Sequence, residues 1–444
     1  MKCDFITSLS FLENATIPRF LKLQDPDKKG TPLDNSGNIY KIFCKVVREA
    51  RIDPEKCLVD IRKTMESLLK SFFKAESISI VDEKTKKEKT LDTLIRELQL
   101  RYENKKTPLN FNLFYDLKKR GNDGAHKAES NASVSKACNA TIKLYRQLAR
   151  IFVGKYEDYT VEDLPIGSFD IVEKIEAQSY EPVEGGFNYI AKQSGPGANT
   201  YVYIRPFSAK ETRSVFDERD LEVQNFFKEM RGSNYIISGR PIETISPCDV
   251  SYFAYDIRKD TLTLNRIKVL SPYEVIDIIL QISKGLLALS SKNINIHHRG
   301  IRPSCIFVNR FDDGCEAKLG CFETAKINIK TPEIASVKTV MPYMADSQQN
   351  NVFVHPEINS KENVSDREWE LGDVYALSAV LLYCLDSKTV LDGSMDTDIL
   401  YDEYSSDFVE KINDILKCGS LDLVPTMKEF SLLLEQEKEA LEQL

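Results

Sequence analysis

Long uncharged runs are absent from this sequence of 444 residues. No uncharged stretch approaches the roughly 20 residues that a membrane-spanning helix needs, and the first residues do not begin the apolar core of a signal peptide. We therefore expect a cytoplasmic protein that does not enter a membrane. At this length, with 42% hydrophobic residues, the chain can bury more than one core, so two domains are the default expectation.

Cysteine pairs of the kind that bind zinc are also missing. None of the ten cysteines belongs to a Cys-x-x-Cys pair, and a chain of this size does not need disulfides in order to fold. The cysteines are therefore expected to be reduced thiols. Cys315 and Cys321 are close enough in sequence to share a metal, but too few other ligands lie near them, so no metal site is expected.

Acidic residues are scarce in the first third of the chain. Residues 1–150 hold 30 Lys and Arg against 20 Asp and Glu, whereas the remaining residues hold 30 against 48. The overall charge of −8 is therefore the sum of +10 for residues 1–150 and −18 for the rest of the chain. This asymmetry favours contact of the basic part with a polyanion. The run from Lys84 to Lys89 is predicted to be a solvated loop, whereas the cations between Lys105 and Lys127 are candidates for binding.

Residues 38–152 show helical periodicity, after an arm at 1–37 that contains one short helix. Asp53-Pro54-Glu55 has the features of a helix start, with a capping carboxylate, a proline in the first turn and an acid near the positive end of the helix dipole. Apolar residues then repeat at spacings of three and four from Leu58 to Phe72. Further helices are predicted over 91–102, 110–119 and 134–152, and together they make an all-α bundle.

A single histidine, His126, stands between the last two predicted helices, and the other three histidines lie in the second half of the chain. It follows Arg120 and the polar Asn122. This spacing resembles the motif of the HEPN superfamily, many members of which are metal-independent ribonucleases with a cleft between two copies. The helix that begins at Asp53, with Arg62 and Glu66, also resembles an early helix of this superfamily. The resemblance implies that His126 exchanges a proton with a ribose 2′-hydroxyl and that Arg120 stabilises the charged phosphate in the transition state.

The residues around this motif suit contact with RNA. The candidate RNA-binding cations are Lys118, Lys119 and Lys127. Gly121 and Gly124 predict a backbone turn that directs the arginine and the histidine into one cleft. In a related pattern of some restriction enzymes the arginine position falls on Lys118, so the identity of the arginine stays open. A bundle that binds without cutting is the alternative.

The second half is organised around His298-Arg299-Gly300-Ile301-Arg302-Pro303-Ser304-Cys305, which an apolar strand and then Lys318-Leu319-Gly320-Cys321-Phe322 follow. This order resembles the catalytic loop and metal-binding segment of protein kinases, in which an Asp accepts the substrate proton and an Asn and a second Asp hold magnesium. Gly300, Cys305 and Cys321 stand at those positions here, and they are poor ligands for a hard cation. The resemblance therefore implies a pseudokinase.

Other landmarks of the kinase family stand in order over residues 165–440. Arg205, on a predicted strand, takes the place of the ATP-binding lysine, and Glu222 resembles the helix glutamate that pairs with it. His355-Pro356-Glu357 resembles the Ala-Pro-Glu segment, and Asp373 resembles the buried aspartate that holds the catalytic loop. Arginine can contact phosphates, so the resemblance leaves room for weak nucleotide binding without a metal.

The whole sequence thus predicts a multidomain α and α+β protein. The expected parts are an N-terminal arm at 1–37, a HEPN-like helical bundle at 38–152, a linker at 153–167 and a bilobal kinase-like fold at 168–444, whose lobes meet near residue 270. The expected function is that of a metal-independent endoribonuclease in a toxin or antiviral defence role, regulated by the kinase-like half and needing no cofactor. The expected partners are RNA, a second copy of the chain and a protein trigger or antitoxin. The alternative is a scaffold or sensor that binds RNA or protein without catalysis.

Overall fold

The computed structural model has helices in its first part and a mixture of helices and antiparallel strands after them. The protein is therefore an α and α+β protein, and the sequence prediction is confirmed at this coarse level. The structure describes residues 5–23, 26–103, 107–125, 132–154, 157–178, 186–195, 199–208, 223, 234–244, 250–289, 294–329, 352–361 and 364–443.

The first part is a bundle of helices around one apolar core. Its helices are α1 (Phe5–Ser8), α2 (Ser10–Glu13), α3 (Ser36–Glu49), α4 (Pro54–Ala75), α5 (Leu91–Tyr102), α6 (Phe111–Ala125) and α7 (Val134–Phe152). The predicted start of α4 is confirmed, because the Asp53 side chain accepts a hydrogen bond from the backbone N–H of Lys56 at 3.1 Å. The periodic apolar residues of α4 lie in the core, as their spacing predicts.

The segments expected to be an arm and a linker both pack into this core. The Phe5 ring lies 4.9 Å from the Tyr145 ring and 4.8 Å from the Tyr159 ring, so three distant parts of the chain meet in one aromatic cluster. Leu164, near the end of the expected linker, is also buried in the core. Short apolar segments at both ends of the bundle therefore complete it, because burying these side chains removes apolar surface from water.

Helix α6 is longer than the sequence predicts, and the turn expected at Gly121–Gly124 is wrong. The helix continues through this segment to Ala125. Gly121 serves packing instead, because a Cβ at this position would lie 2.7 Å from the Cβ of Arg62 and 2.9 Å from the carbonyl oxygen of Leu58. A glycine here allows α6 to approach α4 closely.

An antiparallel sheet follows the bundle, with strands in the order β1-β2-β3-β5-β4. The strands are β1 (Phe169–Glu176), β2 (Phe187–Gln193), β3 (Tyr201–Ser208), β4 (Gly239–Ile242) and β5 (Val250–Ile257). Alternate residues of β3 enter two different cores. Val202 and Ile204 belong to a small core on one face, whereas Tyr203 and Phe207 belong to the large core of the second half. Arg205 lies between Tyr203 and Phe207 on this second face.

The end of α3 contacts the first face of this sheet. The buried guanidinium group of Arg51 lies 4.9 Å from the Tyr189 ring centre and donates a hydrogen bond to the carbonyl oxygen of Val161 at 2.9 Å. Ile52 packs against the small core, and Arg48 donates a hydrogen bond to Oγ of Ser194 at 2.7 Å. The bundle and the sheet therefore share a packed interface directly before α4.

The rest of the second half is mainly helical. Its helices are α8 (Pro272–Leu289), α9 (Pro356–Ser360), α10 (Asp366–Leu385), α11 (Ser387–Leu391), α12 (Ser406–Lys417) and α13 (Met427–Glu442). Strand β7 (Ile294–His297) pairs with β10 (Lys326–Ile329), and β6 (Leu262–Thr263), β8 (Ile306–Phe311) and β9 (Gly314–Leu319) form a sheet in the order β6-β8-β9. The Ile237 amide donates a hydrogen bond to the Leu319 carbonyl at 3.0 Å, which joins the segment before β4 to β9.

Helix α10 crosses the large core, and the residues from Leu371 to Leu382 are all buried. Ser365 begins the helix with a capping box, in which Glu368 binds back to the Ser365 backbone. Across the part of the chain that the structure describes, neither α10 nor any other helix is both long and apolar enough to cross a membrane.

Candidate functional site

Asp373 of α10 fixes the segment that sequence analysis identifies as a degenerate catalytic loop. Its carboxylate accepts hydrogen bonds from the backbone N–H groups of His298 at 2.8 Å and Arg299 at 2.9 Å. Arg299 has a φ of 64°, a left-handed conformation that costs roughly 1–3 kcal/mol and needs such support. The Arg299 guanidinium lies 4.3 Å from the Trp369 ring centre. The predicted role of Asp373 toward the loop backbone is therefore confirmed.

Burial controls the ionisation of the groups that hold this loop. It raises the pKa of Asp373 to about 7, although the two backbone N–H groups act in the opposite direction. Burial also lowers the pKa of His298 to about 4, so the ring is neutral. Because a carbonyl can only accept, Nε2 of His298 donates to the Gly320 carbonyl at 2.8 Å. His298 is thus a neutral structural link between the two segments of the predicted site.

The positions that lack magnesium ligands come together in the fold. The Cys305 thiol donates to the Gly300 carbonyl at 3.6 Å, and the Gly320 amide donates to the Cys305 carbonyl at 2.9 Å. Cys305 and Cys321 are both buried. Burial raises the pKa of Cys321 well above its ordinary value, and a hydrogen bond with Cys305 raises it further. Cys321 is therefore a neutral thiol, which is a weak ligand for any cation.

Thr324 occupies the space beside Gly300. A Cβ at position 300 would lie 2.6 Å from Oγ1 of Thr324, which itself donates a hydrogen bond to the His298 carbonyl at 3.2 Å. The same Cβ would lie 3.3 Å from Nη1 of Arg302. A carboxylate side chain at position 300 would therefore displace at least one neighbour.

A buried ion triad lies next to these positions. Oε1 of Glu323 accepts hydrogen bonds from Nη1 of Arg205 at 2.7 Å and from Nη2 of Arg302 at 2.8 Å. The side chains of Arg205, Glu323 and Arg302 are only 1%, 2% and 6% exposed, so the triad is desolvated. Burial alone would raise the pKa of Glu323, but the two arginines outweigh it and hold that pKa below its usual value. The carboxylate is therefore ionised.

Arg205 has a partner that the sequence did not predict. Glu222 was the expected partner, and it lies outside the described residues. Within the described residues Arg205 binds Glu323. The signal for this contact was visible, because Glu323 follows Phe322 at the position where the kinase family has glycine. A charged residue there needs a counter-ion if it is buried.

These residues do not fit a magnesium ion. The side chains at positions 300, 305 and 321 supply no oxygen ligand, and the charge of Glu323 is already compensated by two guanidinium groups. In the parts of the chain that the structure describes, no three His, Cys, Asp or Glu side chains are grouped so that they could hold a metal.

A second polar cluster lies between α4 and the end of α6. Oδ1 of Asn122 accepts a hydrogen bond from Nη1 of Arg62 at 2.8 Å. Both residues are partly exposed, and the close approach of the helices at Gly121 brings them together. The sequence marked Arg62 only through the resemblance of its helix to an early helix of the HEPN superfamily. Its contact with Asn122 depends on how two helices cross, which the spacing of residues along the sequence does not indicate.

Arg120 lies on another side of α6. Its Nε donates to the two carboxylate oxygens of Asp116 at 3.2 Å and 3.1 Å, and Lys143 of α7 contacts the same carboxylate at 3.4 Å. Burial would raise the pKa of Asp116, but the two cations hold it below its usual value. Two positions along a helix are about 200° apart around its axis, so Arg120 and Asn122 do not share a face.

The candidate RNA-binding lysines have different surroundings. Lys118 forms an ion pair with Asp92 of α5, and Lys119 is exposed to solvent. Lys127 and the predicted catalytic histidine, His126, lie outside the described residues. The structure thus brings Asn122 to Arg62 and separates it from Arg120.

Comparison with known proteins adds no relative to these observations. No family model matches the chain, and no curated protein is significantly similar to it. The two clusters nevertheless differ in chemistry. The cluster around Glu323 is buried, and its carboxylate already has two arginine partners, whereas the cluster around Arg62 and Asn122 is partly exposed and can reach a ligand.

Proposed function

We propose that this protein is a metal-independent endoribonuclease, in which a HEPN-like helical domain is joined to a kinase-like domain that transfers no phosphate. The observation that carries the ribonuclease function is the partly exposed Arg62–Asn122 pair at the end of α6. It lies in the basic part of the chain, and Asn122 precedes His126 by four residues. A polar pair beside cations is the environment that a polyanion such as RNA needs.

The proposed reaction follows from the residue types. His126 takes the proton from a ribose 2′-hydroxyl, and the oxygen attacks the adjacent phosphorus. The bond from phosphorus to the 5′-oxygen breaks, and that oxygen takes the proton back from His126, which gives a 2′,3′-cyclic phosphate and a 5′-hydroxyl. A nearby arginine stabilises the additional charge on the phosphate oxygens. No step needs a metal.

The absence of phosphate transfer is supported by the buried ion triad. Glu323 places a carboxylate against Arg205 and Arg302, where the resemblance would have a nucleotide phosphate. A phosphate has to displace this carboxylate before it can contact Arg205. We therefore expect nucleotide binding to be weak and independent of magnesium. The kinase-like domain then acts through its surfaces, as a sensor or a dimerisation element.

A scaffold that binds RNA or protein without cutting is the second candidate. The ion pairs of Arg120 with Asp116 and of Lys118 with Asp92 favour it, because these cations already have partners. Exposed ion pairs are worth only about 0–1 kcal/mol, however, so RNA phosphates can replace the carboxylates. The two candidates therefore differ in whether the RNA is cut.

The experiment that separates them is an RNA-cleavage assay in EDTA with purified wild type and His126→Ala. The ribonuclease predicts cyclic phosphate ends from the wild type, no cleavage by the variant, and an unchanged melting temperature and dimer mass by light scattering. If His126→Ala unfolds the protein, the histidine is a structural cap. If the wild type binds RNA and leaves it intact, the scaffold is correct. Magnesium-dependent autophosphorylation would refute the proposed inactivity of the kinase-like domain.

A further inference from the structure

We infer that Arg62, rather than Arg120, is the arginine that contacts an RNA phosphate beside Asn122. This inference rests on the proposed function in one respect, namely that RNA is the ligand. It assigns to α4 a binding role that the spacing of residues in the sequence had assigned to α6.

The first support is the set of hydrogen-bond donors that Arg62 keeps. A guanidinium group has five N–H donors, and the hydrogen bond to Asn122 uses one of them. Within the described residues no carboxylate lies at ion-pair distance from Arg62, whereas its neighbours Lys63 and Lys70 and the candidate Arg120 each have one. Two parallel N–H groups of the same guanidinium can therefore meet two phosphate oxygens.

The second support is the orientation of Arg120. Its Nε is directed at Asp116, and Lys143 shares that carboxylate. Displacing Asp116 costs too little to exclude Arg120 by itself. The decisive point is that Arg120 and Asn122 project from α6 about 200° apart, so a phosphate at Asn122 lies away from Arg120 of the same chain.

The third support is the packing at Gly121, which holds the pair in place. The space for a Cβ at Gly121 is taken by the Cβ of Arg62 and the carbonyl oxygen of Leu58. The backbone of α6 therefore rests directly on the stem of Arg62, and the position of Arg62 relative to Asn122 is set by two rigid helices. A site built on helices is better defined than one built on a loop.

The experiment measures binding of a fluorescent single-stranded RNA by anisotropy in EDTA, alongside cleavage, for Arg62→Ala, Arg62→Lys, Arg120→Ala and Asn122→Ala. Lys63→Ala is the matched control, because Lys63 is the next residue of α4, and its side chain is 61% exposed and paired with Asp60. We expect Arg62→Ala to weaken binding about 10- to 100-fold, as for the loss of a charged hydrogen bond. We also expect it to lower the slope of log affinity against log salt by about 0.7.

The other variants distinguish a phosphate contact from lost packing. Arg62→Lys should recover part of the affinity and keep the salt slope, because lysine retains the charge without the two-pronged contact. Asn122→Ala removes the same internal hydrogen bond and should keep the slope. Arg120→Ala and Lys63→Ala should both stay within about threefold of wild type.

Three outcomes decide the matter. If Arg120→Ala weakens binding strongly while Arg62→Ala behaves like Lys63→Ala, the inference is overturned and the proposed function stands. If Arg62→Ala weakens binding but no RNA is cut by any variant, the inference stands and the ribonuclease is overturned. If the wild type binds no RNA, both fall. Should Arg62→Ala fail to fold, the comparison of Arg62→Lys with Lys63→Ala decides, because lysine keeps the stem that packs on Gly121.

Discussion

Arg205 and Glu323, which are 118 residues apart in the chain, form a hydrogen-bonded ion pair of 2.7 Å with both side chains buried. The contact ties strand β3 to the segment that follows β9. Burying two charges is costly, and it succeeds when the geometry is good and further hydrogen bonds are made. Arg302 supplies such a bond at 2.8 Å. The positions that resemble a kinase site are thus held together by the chain's own charges.

Replacing Glu323 with Gln should destabilise the protein strongly. The change leaves two buried guanidinium groups without a counter-ion, and breaking a buried pair in this way costs roughly 3–5 kcal/mol in the free energy of unfolding. Urea denaturation followed by circular dichroism measures the loss. A variant as stable as the wild type would mean that the triad is not desolvated.

The matched control replaces the triad as a whole. Arg205→Met, Arg302→Met and Glu323→Leu together remove all three charges and keep most of the volume. Such replacements are often neutral or stabilising, so the triple variant should be at least as stable as Glu323→Gln and close to wild type. If the triple variant is as unstable as the single one, packing rather than charge explains the loss.

Gly300→Ala should be destabilising, and Thr324→Ala should relieve the effect. The new Cβ would lie 2.6 Å from Oγ1 of Thr324, and an added methyl group in a packed site typically costs about 1–3 kcal/mol. Removing Oγ1 frees that space, while it also loses the hydrogen bond to the His298 carbonyl. A double-mutant cycle in urea should therefore show a favourable coupling energy. Strict additivity would show that Thr324 does not constrain position 300.

Stability should rise with pH between about 4 and 6.5. Burial lowers the pKa of His297 and of His298 to about 4, so their contribution is fully present above the unfolded value near 6.5 and is lost as pH falls through 4. Burial raises the pKa of Asp373 to about 7, so its contribution is lost as pH rises through 7. Burial also lowers the pKa of His355, so three histidines oppose one aspartate and the net slope is positive, each group contributing up to about 1.4 kcal/mol per pH unit.

His298→Gln provides the test of this balance. The variant removes one titrating ring, so the rise of the free energy of unfolding with pH between 5 and 6.5 should become shallower by up to about 1.4 kcal/mol per pH unit, whatever its absolute value. Urea denaturation at several pH values measures the slope. An unchanged slope would show that His298 is protonated in the folded protein or exchanges readily with solvent.

Replacing Lys118, Lys119 and Lys127 together with Ala should weaken RNA binding mainly at low salt. Each cation that meets a phosphate of single-stranded RNA contributes about 0.7 to the slope of log affinity against log salt, so the slope should fall by about 2. Anisotropy titrations at four salt concentrations measure it. A matched triple change at Lys84, Lys86 and Lys87, in the loop that is predicted to be solvated, should leave the slope unchanged.

Local signals in the sequence were enough to predict the main elements. The helix start at Asp53 and the apolar repeat that follows it depend on neighbours within two turns, and both are found in the structure. The contact of Asp373 with the loop backbone was also expected, because the place of Asp373 in the order of kinase-like motifs predicted it.

Contacts between distant elements were not predictable in the same way. The pair of Arg62 with Asn122 arises from the crossing of α4 and α6, and the glycine that permits this crossing looked like a turn signal in the sequence. Glu323 was visible as an unusual residue after Phe322, but its partners come from β3 and from the loop after β7. Helix propensity and motif spacing do not predict which faces of distant helices, strands and loops pack against each other.

The stacking of Arg51 on Tyr189 should couple amide hydrogen exchange in helix α4 to amide hydrogen exchange in strand β2. Arg51 stands two residues before the cap of α4, and Tyr189 lies in strand β2. Opening β2 removes the packing surface of Arg51, so protection of the first turns of α4 against hydrogen exchange should follow protection of β2. A partner that rigidifies the sheet would then slow exchange in the helix that carries Arg62, without touching that helix.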